Sequence, residues 1–140
     1  MGTKRFELLD HTADTGIIVH ADSLPSLFEV AGEALFHIIT DLKKVRRRIE
    51  RKIEIKGEPL ERLMVDWLGE LLYLHEIENL LFKGFKVESL SEGGLKARVK
   101  GEPFQDGVHV IKTGVKAVTY HQIEVCRENQ GWRAKVILDL

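Results

Sequence analysis

The chain has 140 residues, of which 44% are hydrophobic, 31% charged and 7% aromatic, a balance that suits one compact domain over residues 1–140. Lys and Arg number 21 against 22 Asp and Glu, giving a formal net charge of -1, so overall charge selects no nucleic acid or membrane surface as partner. No apolar run approaches the roughly 20 residues of a membrane-spanning helix, "MGTKRFELLDH" lacks the apolar stretch of a secretion signal, and the lone Cys126 makes neither an internal disulfide nor a thiolate zinc cage; the expectation is a soluble, cytoplasmic protein with no membrane contact.

"KRFELL" at 4–9 reads as a first strand and "GIIVHA" at 16–21, rich in β-branched residues, as a second, so the acidic stretch "DHTADTG" between them sits on a strand connection. Ser23 is an N-cap with Pro25 in the first turn, where its missing N–H does no harm. Leu24, Leu27, Phe28, Ala31, Leu35, Ile38, Ile39 and Leu42 then recur at helical spacing and predict an amphipathic helix. "VRRRIERKIEIKG" at 45–57 spaces Ile49, Ile53 and Ile55 two or four apart with charges between, the period of a strand with one wet face. Pro59 opens a second helix striped by Leu60, Leu63, Met64, Trp67, Leu68, Leu71 and Leu72. Gly69 inside it costs about 1 kcal/mol relative to alanine, which is either tolerated or answered by close packing.

The remainder is strand pattern: "LFKGFKVESL", a turn at Gly93 and Gly94, "LKARVKGEPF", "GVHVIKT", "GVKAVTYHQIEVCRE" and "GWRAKVILDL". Two helices among roughly seven strands, the later ones joined by hairpins, predict an α+β fold: a mainly antiparallel β-sheet sandwich with the two amphipathic helices packed on the sheet.

In the last strand Trp132, Ala134, Val136 and Leu138 share one face, which leaves Arg133, Lys135, Ile137 and Asp139 on the other. If the end of that strand lies beside the first connection, Asp14, Asp139 and an oxygen of Leu140 gather as hard oxygen ligands, suited to Mg²⁺, Mn²⁺ or Ca²⁺ rather than zinc. The structural alternative is that Asp10 and Asp14 bond nearby backbone N–H groups in a turn and that Asp139 is simply solvated. His11 sits within the acidic motif, but no serine or cysteine nucleophile stands beside it. The six histidines show neither HExxH nor paired cysteines, and His121 reads as a satisfied sheet residue on the face of Thr119 and Ile123.

The run Lys43, Lys44, Arg46, Arg47, Arg48, Arg51 and Lys52 is either a phosphate-contacting stretch or a solvated strand face charged against edge pairing. Lys116, on the strand face of Val118 and Tyr120, either meets an anionic partner or carries its charge out to water.

Taken together, "DHTADTGI", "LFEVAGEALFHIITDL", "LMVDWLGELLYLHE", "VKAVTYH" and the closing "VILDL" resemble the archease family across nearly the whole chain and in the same order. Gly69 and His75 depart from the residues usual at their positions in the second helix and bear only on packing. The resemblance implies an α+β fold and a non-catalytic protein cofactor of the RtcB-type RNA ligase of tRNA splicing, which meets tRNA only through the ligase. It implies promotion of metal-dependent guanylylation of the ligase, repeated turnover and broader use of nucleoside triphosphates. Carried over residue by residue, the metal site falls on Asp14, Asp139 and Leu140, with Asp10, His11 and Lys116 as accessory candidates.

Three other classes compete. One is a general chaperone or a modulator of an RNA-modifying enzyme such as a tRNA methyltransferase, a role the same resemblance suggests. Another is a small metal-dependent hydrolase built on His11, Asp14 and Asp139, for which the sequence offers no nucleophile. The last is direct RNA binding through the stretch from Lys43 to Lys52.

Overall fold

The structure, a computed structural model, describes residues 6–10, 14–91 and 93–140; His11 lies outside the described residues, as do the side chains of Leu9, Asp10 and Asp14. In chain order the elements are β1 (Phe6–Asp10), β2 (Asp14–Ala21), α1 (Leu24–Ile39), a 3₁₀ turn (Leu42–Lys44), β3 (Ile49–Lys56), α2 (Leu60–Glu78), β4 (Leu80–Ser91), β5 (Gly94–Pro103), β6 (Ala117–Val118), β7 (Glu124–Glu128) and β8 (Gly131–Asp139). No helix among the described residues is long and apolar enough to cross a membrane.

The helices begin where their capping residues predict. The Ser23 side chain accepts a hydrogen bond from the Ser26 N–H at 3.3 Å, with Pro25 in the first turn. Asn79, with φ of 59°, takes the left-handed conformation that stops α2. α1 is shorter than its apolar spacing suggests, because Thr40 leaves the helix, is 1% exposed and donates its hydroxyl to Val110 O at 2.7 Å.

Every paired strand is antiparallel, but the strands form two sheets, which corrects the expectation of one. In the first the order is β1-β2-β8-β6, with β7 also on β8; in the second it is β3-β5-β4. The reason for a second sheet lies in the helices. The buried residues of α1, from Leu27, Phe28 and Ala31 through Phe36 to Ile39, and those of α2, from Leu63 to Leu74, cover more than half of each helix circumference. A stripe that wide needs two walls. α1 accordingly packs on β2 and β8 of the first sheet and on β4 of the second, while α2 touches β6 and β7 on one side and β3, β4 and β5 on the other.

One hydrophobic cluster runs through both sheets and both helices, with Phe28, Phe36, Trp67 and Phe82 fully enclosed. Trp67 donates its indole N–H to Phe28 O at 2.8 Å, so its burial leaves no polar atom unpaired. Gly32 marks a close approach: a Cβ there would lie 2.8 Å from the Phe85 ring and 3.3 Å from Leu71. Gly69 faces open space, so its cost is the tolerated kind.

The sequence pattern fails between β5 and β8. "GVHVIKT" is not a strand; only Ile111 forms a bridge, to Thr40, and His109 is buried while Val108 and Val110 are exposed. "GVKAVTYHQIEVCRE" is broken by a turn at which Gln122 has φ of 53°, giving β6 and β7 instead of one strand. His121 is exposed in that turn rather than seated in a sheet, and its N–H donates to the Thr119 hydroxyl.

Candidate functional site

β8 lies between β2 and β6, and the pairing register decides what meets at its end. Asp14 stands opposite Asp139, Thr15 opposite Leu138, and on the other side of β8 Ala117 stands opposite Asp139. The Lys116 N–H donates to Asp139 O at 2.8 Å. Asp10, the last residue of β1, pairs with Thr15. Three stretches distant in sequence, the β1–β2 hairpin, the start of β6 and the end of β8, therefore converge at one end of the first sheet, with Asp139 between β2 and β6.

This register is set by apolar alternation. Ile17, Val19, Ala134, Val136 and Leu138 are buried on the inner face, with Ile17 opposite Val136 and Val19 opposite Ala134. The other face of β8 carries Arg133, Lys135 and Ile137 before Asp139. There Arg133 pairs with Glu124 at 2.6 Å, Lys135 donates to Gln122 at 2.9 Å, and His20 lies between Glu128 at 2.7 Å and Glu7 at 3.3 Å. Asp139 is exposed, Leu140 is half-buried against the core, and Lys116 is exposed.

Among the described residues no group of three or more His, Cys, Asp or Glu side chains gathers as a metal set. By residue type, Asp14 and Asp139, opposed in register, and the main chain of Leu140 are oxygen donors, the chemistry that a hard divalent cation takes. A cleft of about 660 Å³ lies elsewhere. It is lined by Leu24, Pro59, Leu60, Leu63 and Leu90, near the starts of both helices and beyond the other end of β2.

A second polar cluster escaped the sequence. Glu102 and His109, each 3% exposed, meet through Oε2 and Nε2 at 3.0 Å. The Gln105 N–H donates to His109 Nδ1 at 2.9 Å, so that nitrogen carries a lone pair and Nε2 carries the proton, shared with Glu102 and Lys44 O. Glu102 also accepts the Arg46 N–H at 2.7 Å, and Arg48 lies 3.8 Å from its other oxygen. Burial pushes the Glu102 carboxyl up, but the Arg46 N–H, the His109 ring and the Arg48 charge outweigh it and hold the group below the usual carboxylate value. Glu102 looks like any strand-end acid in the sequence, and nothing near it signals a partner seven residues away.

The fold divides the basic run, with Lys43, Lys44, Arg46 and Arg48 around one pocket and Arg51 and Lys52 on β3. Lys43 and Lys44 lie on the 3₁₀ turn, Arg46 to Arg48 on the connection before β3, and Arg51 pairs with Glu78 at 3.0 Å. It forms no continuous strand face.

Relatives are found over the full length. A protein archease from Methanopyrus kandleri is 43% identical over 138 residues, covering 96% of this chain and 99% of its own. One from Pyrococcus furiosus is 40% identical over 141 residues, covering 98% and 99%. The solution structure of Methanobacterium thermoautotrophicum protein 1598 superposes with a TM-score of 0.87 at 39% identity, covering 99% of this chain and 100% of that one. The crystal structure of an archease, possible chaperone, from Thermotoga maritima shares the fold, with a TM-score of 0.67 at 20% identity over 94% of each chain. The archease family model matches residues 6–140, and the chain belongs to the Archease protein family.

Proposed function

We propose that this chain is a non-catalytic activator of an RtcB-type RNA ligase in the cytoplasm, promoting metal-dependent guanylylation of the ligase, its repeated turnover and its use of a wider range of nucleoside triphosphates. The observation that supports this reading is the register that sets Asp14 against Asp139, with the Lys116 N–H on Asp139 O. Asp14, Asp139 and the main-chain oxygens of Leu140 would hold a divalent ion, Ca²⁺, Mg²⁺ or Mn²⁺, with Asp10 and His11 close by in sequence. Bound there, such an ion supplies positive charge that offsets charge developing on phosphate oxygens during nucleotidyl transfer. The chain itself provides the end of a sheet in which β8 is paired on both sides, which supports a fixed presentation of its last residues. The exposed side chain of Lys116 would orient a phosphate or an acidic side chain of the ligase. tRNA is met through the ligase.

The test is a guanylylation assay with the cognate ligase across a series of divalent ions. Asp14→Ala and Asp139→Ala are expected to keep the circular dichroism spectrum of the parent and to lose stimulation. Parental stimulation by both variants would overturn the reading.

A second reading, a chaperone or a modulator of an RNA-modifying enzyme such as a tRNA methyltransferase, draws on exposed apolar side chains, Tyr73 at 55%, Ile77 at 65% and Val110 at 66%. Suppression of aggregation that survives chelation would favour it.

A further inference from the structure

Three aliphatic side chains on the connection between β5 and β6 stand in water: Val108 is 42% exposed, Val110 66% and Ile111 40%. Exposed aliphatics are common on loops that move, but this loop is fastened at several points. His109, between two of them, is buried on Glu102 and Lys44 O; Val110 O accepts the Thr40 hydroxyl; the Lys112 N–H donates to Ile39 O at 2.7 Å. The fold thus uses a buried histidine to hold valines outward, the reverse of what burial of apolar surface favours.

Cations lie beside Val108 and next to Ile111. Val108 lines a pocket of about 310 Å³ together with Lys43, Lys44, Arg46 and Arg48, and Lys112 follows Ile111. Among the described residues Lys43, Lys44, Arg46 and Lys112 make no side-chain ion pair, and Arg48 reaches only the Glu102 oxygen at 3.8 Å. The acids on the adjoining segments are Glu102, already bonded to Arg46 N–H and His109, Asp41, which caps the 3₁₀ turn, and Asp106, two residues before Val108. The loop therefore carries exposed aliphatic side chains with unpaired positive charge beside Val108 and, at Lys112, next to Ile111.

We infer that this surface is a docking site for a partner protein that presents an apolar hollow edged by carboxylates. Exposed aliphatics bordered by charged groups suit a protein interface, and preorganised side chains reduce the ordering entropy that binding must overcome. A site for an RNA backbone uses the cations but gains nothing from valines held in water, and there is no aromatic side chain in the pocket on which a base could stack. The place of the surface matters as well. Lys112 and Lys116 are four residues apart, so the docking loop and the Asp139 end of the sheet lie within about 14 Å of each other along the chain. A partner held by the loop would have the acidic end of β8 at its surface. The inference deepens the activator reading and rests on it for the identity of the partner.

Titration calorimetry of the cognate ligase against the full chain tests it. Val110→Asp, and separately the pair Lys43→Glu with Arg46→Glu, are expected to raise Kd at least about tenfold, while Lys56→Glu at the far end of β3 leaves it unchanged. Unchanged Kd in both surface variants overturns the docking site. RNA affinity of the isolated protein that falls with the charge reversals but is indifferent to Val110→Asp overturns it in favour of nucleic acid. Ligase binding that depends on this surface without any stimulation of guanylylation keeps the docking site and removes the activator reading.

Discussion

At Gly69 and Gly32 the same residue type sits in two helices for opposite reasons. Gly69 borders open space, so Gly69→Ala should raise stability by about 0.5–1 kcal/mol in urea denaturation through lower entropy of the unfolded chain. Gly32 abuts the Phe85 ring, so Gly32→Ala should lower it by about 1–3 kcal/mol through overpacking. Glu102 sets a third expectation. Its carboxyl is held below the usual value in the folded state, so on acidification the unfolded chain takes up this proton first. The stability it contributes is complete above the ordinary carboxylate range and disappears as pH falls through the depressed folded value. Melting temperatures of the parent and Glu102→Gln should therefore differ most near neutral pH and converge in acid.

Among the elements, the loop from Phe104 to Lys116 has its buried anchor in His109. His109→Ala removes the acceptor of the Gln105 N–H and a donor to Glu102, and should destabilise by about 2–3 kcal/mol. Amide exchange should quicken first at 105–112, ahead of the two sheets. This loop also shows where sequence stops being informative. Both helices were legible because a 3.6-residue period and a capping Ser23 are local signals. "GVHVIKT" misled because alternation of apolar and polar residues says only that two faces differ, not which one is inside, and the burial of His109 depends on Glu102 and Lys44 from elsewhere in the chain. The two-sheet arrangement was hidden for a related reason: a wide apolar stripe reveals that a helix is enclosed but not what encloses it. At the candidate site, Asp14 and Asp139 stood out as acids, while their opposition was a matter of register that no local pattern contains.

For the whole molecule, the position of the helices between the sheets means that neither sheet keeps its inner face covered if the other departs. Unfolding should then be a single transition, with tryptophan fluorescence, from Trp67 in α2 and Trp132 in β8, coinciding with far-ultraviolet circular dichroism along the denaturant axis. Two separated transitions would show that the sheets are independent. The pairing of β2 with β8 carries a last consequence. The parity that buries Ile17 against Val136 and Val19 against Ala134 also brings Asp14 level with Asp139. A slip of one residue would turn both aliphatics out to solvent, at roughly 1.5–3 kcal/mol for each, before the acids could fall out of step. The oily interior thus polices the alignment of the polar rim, and the acids need no mutual attraction, nor any cargo between them, to stay face to face.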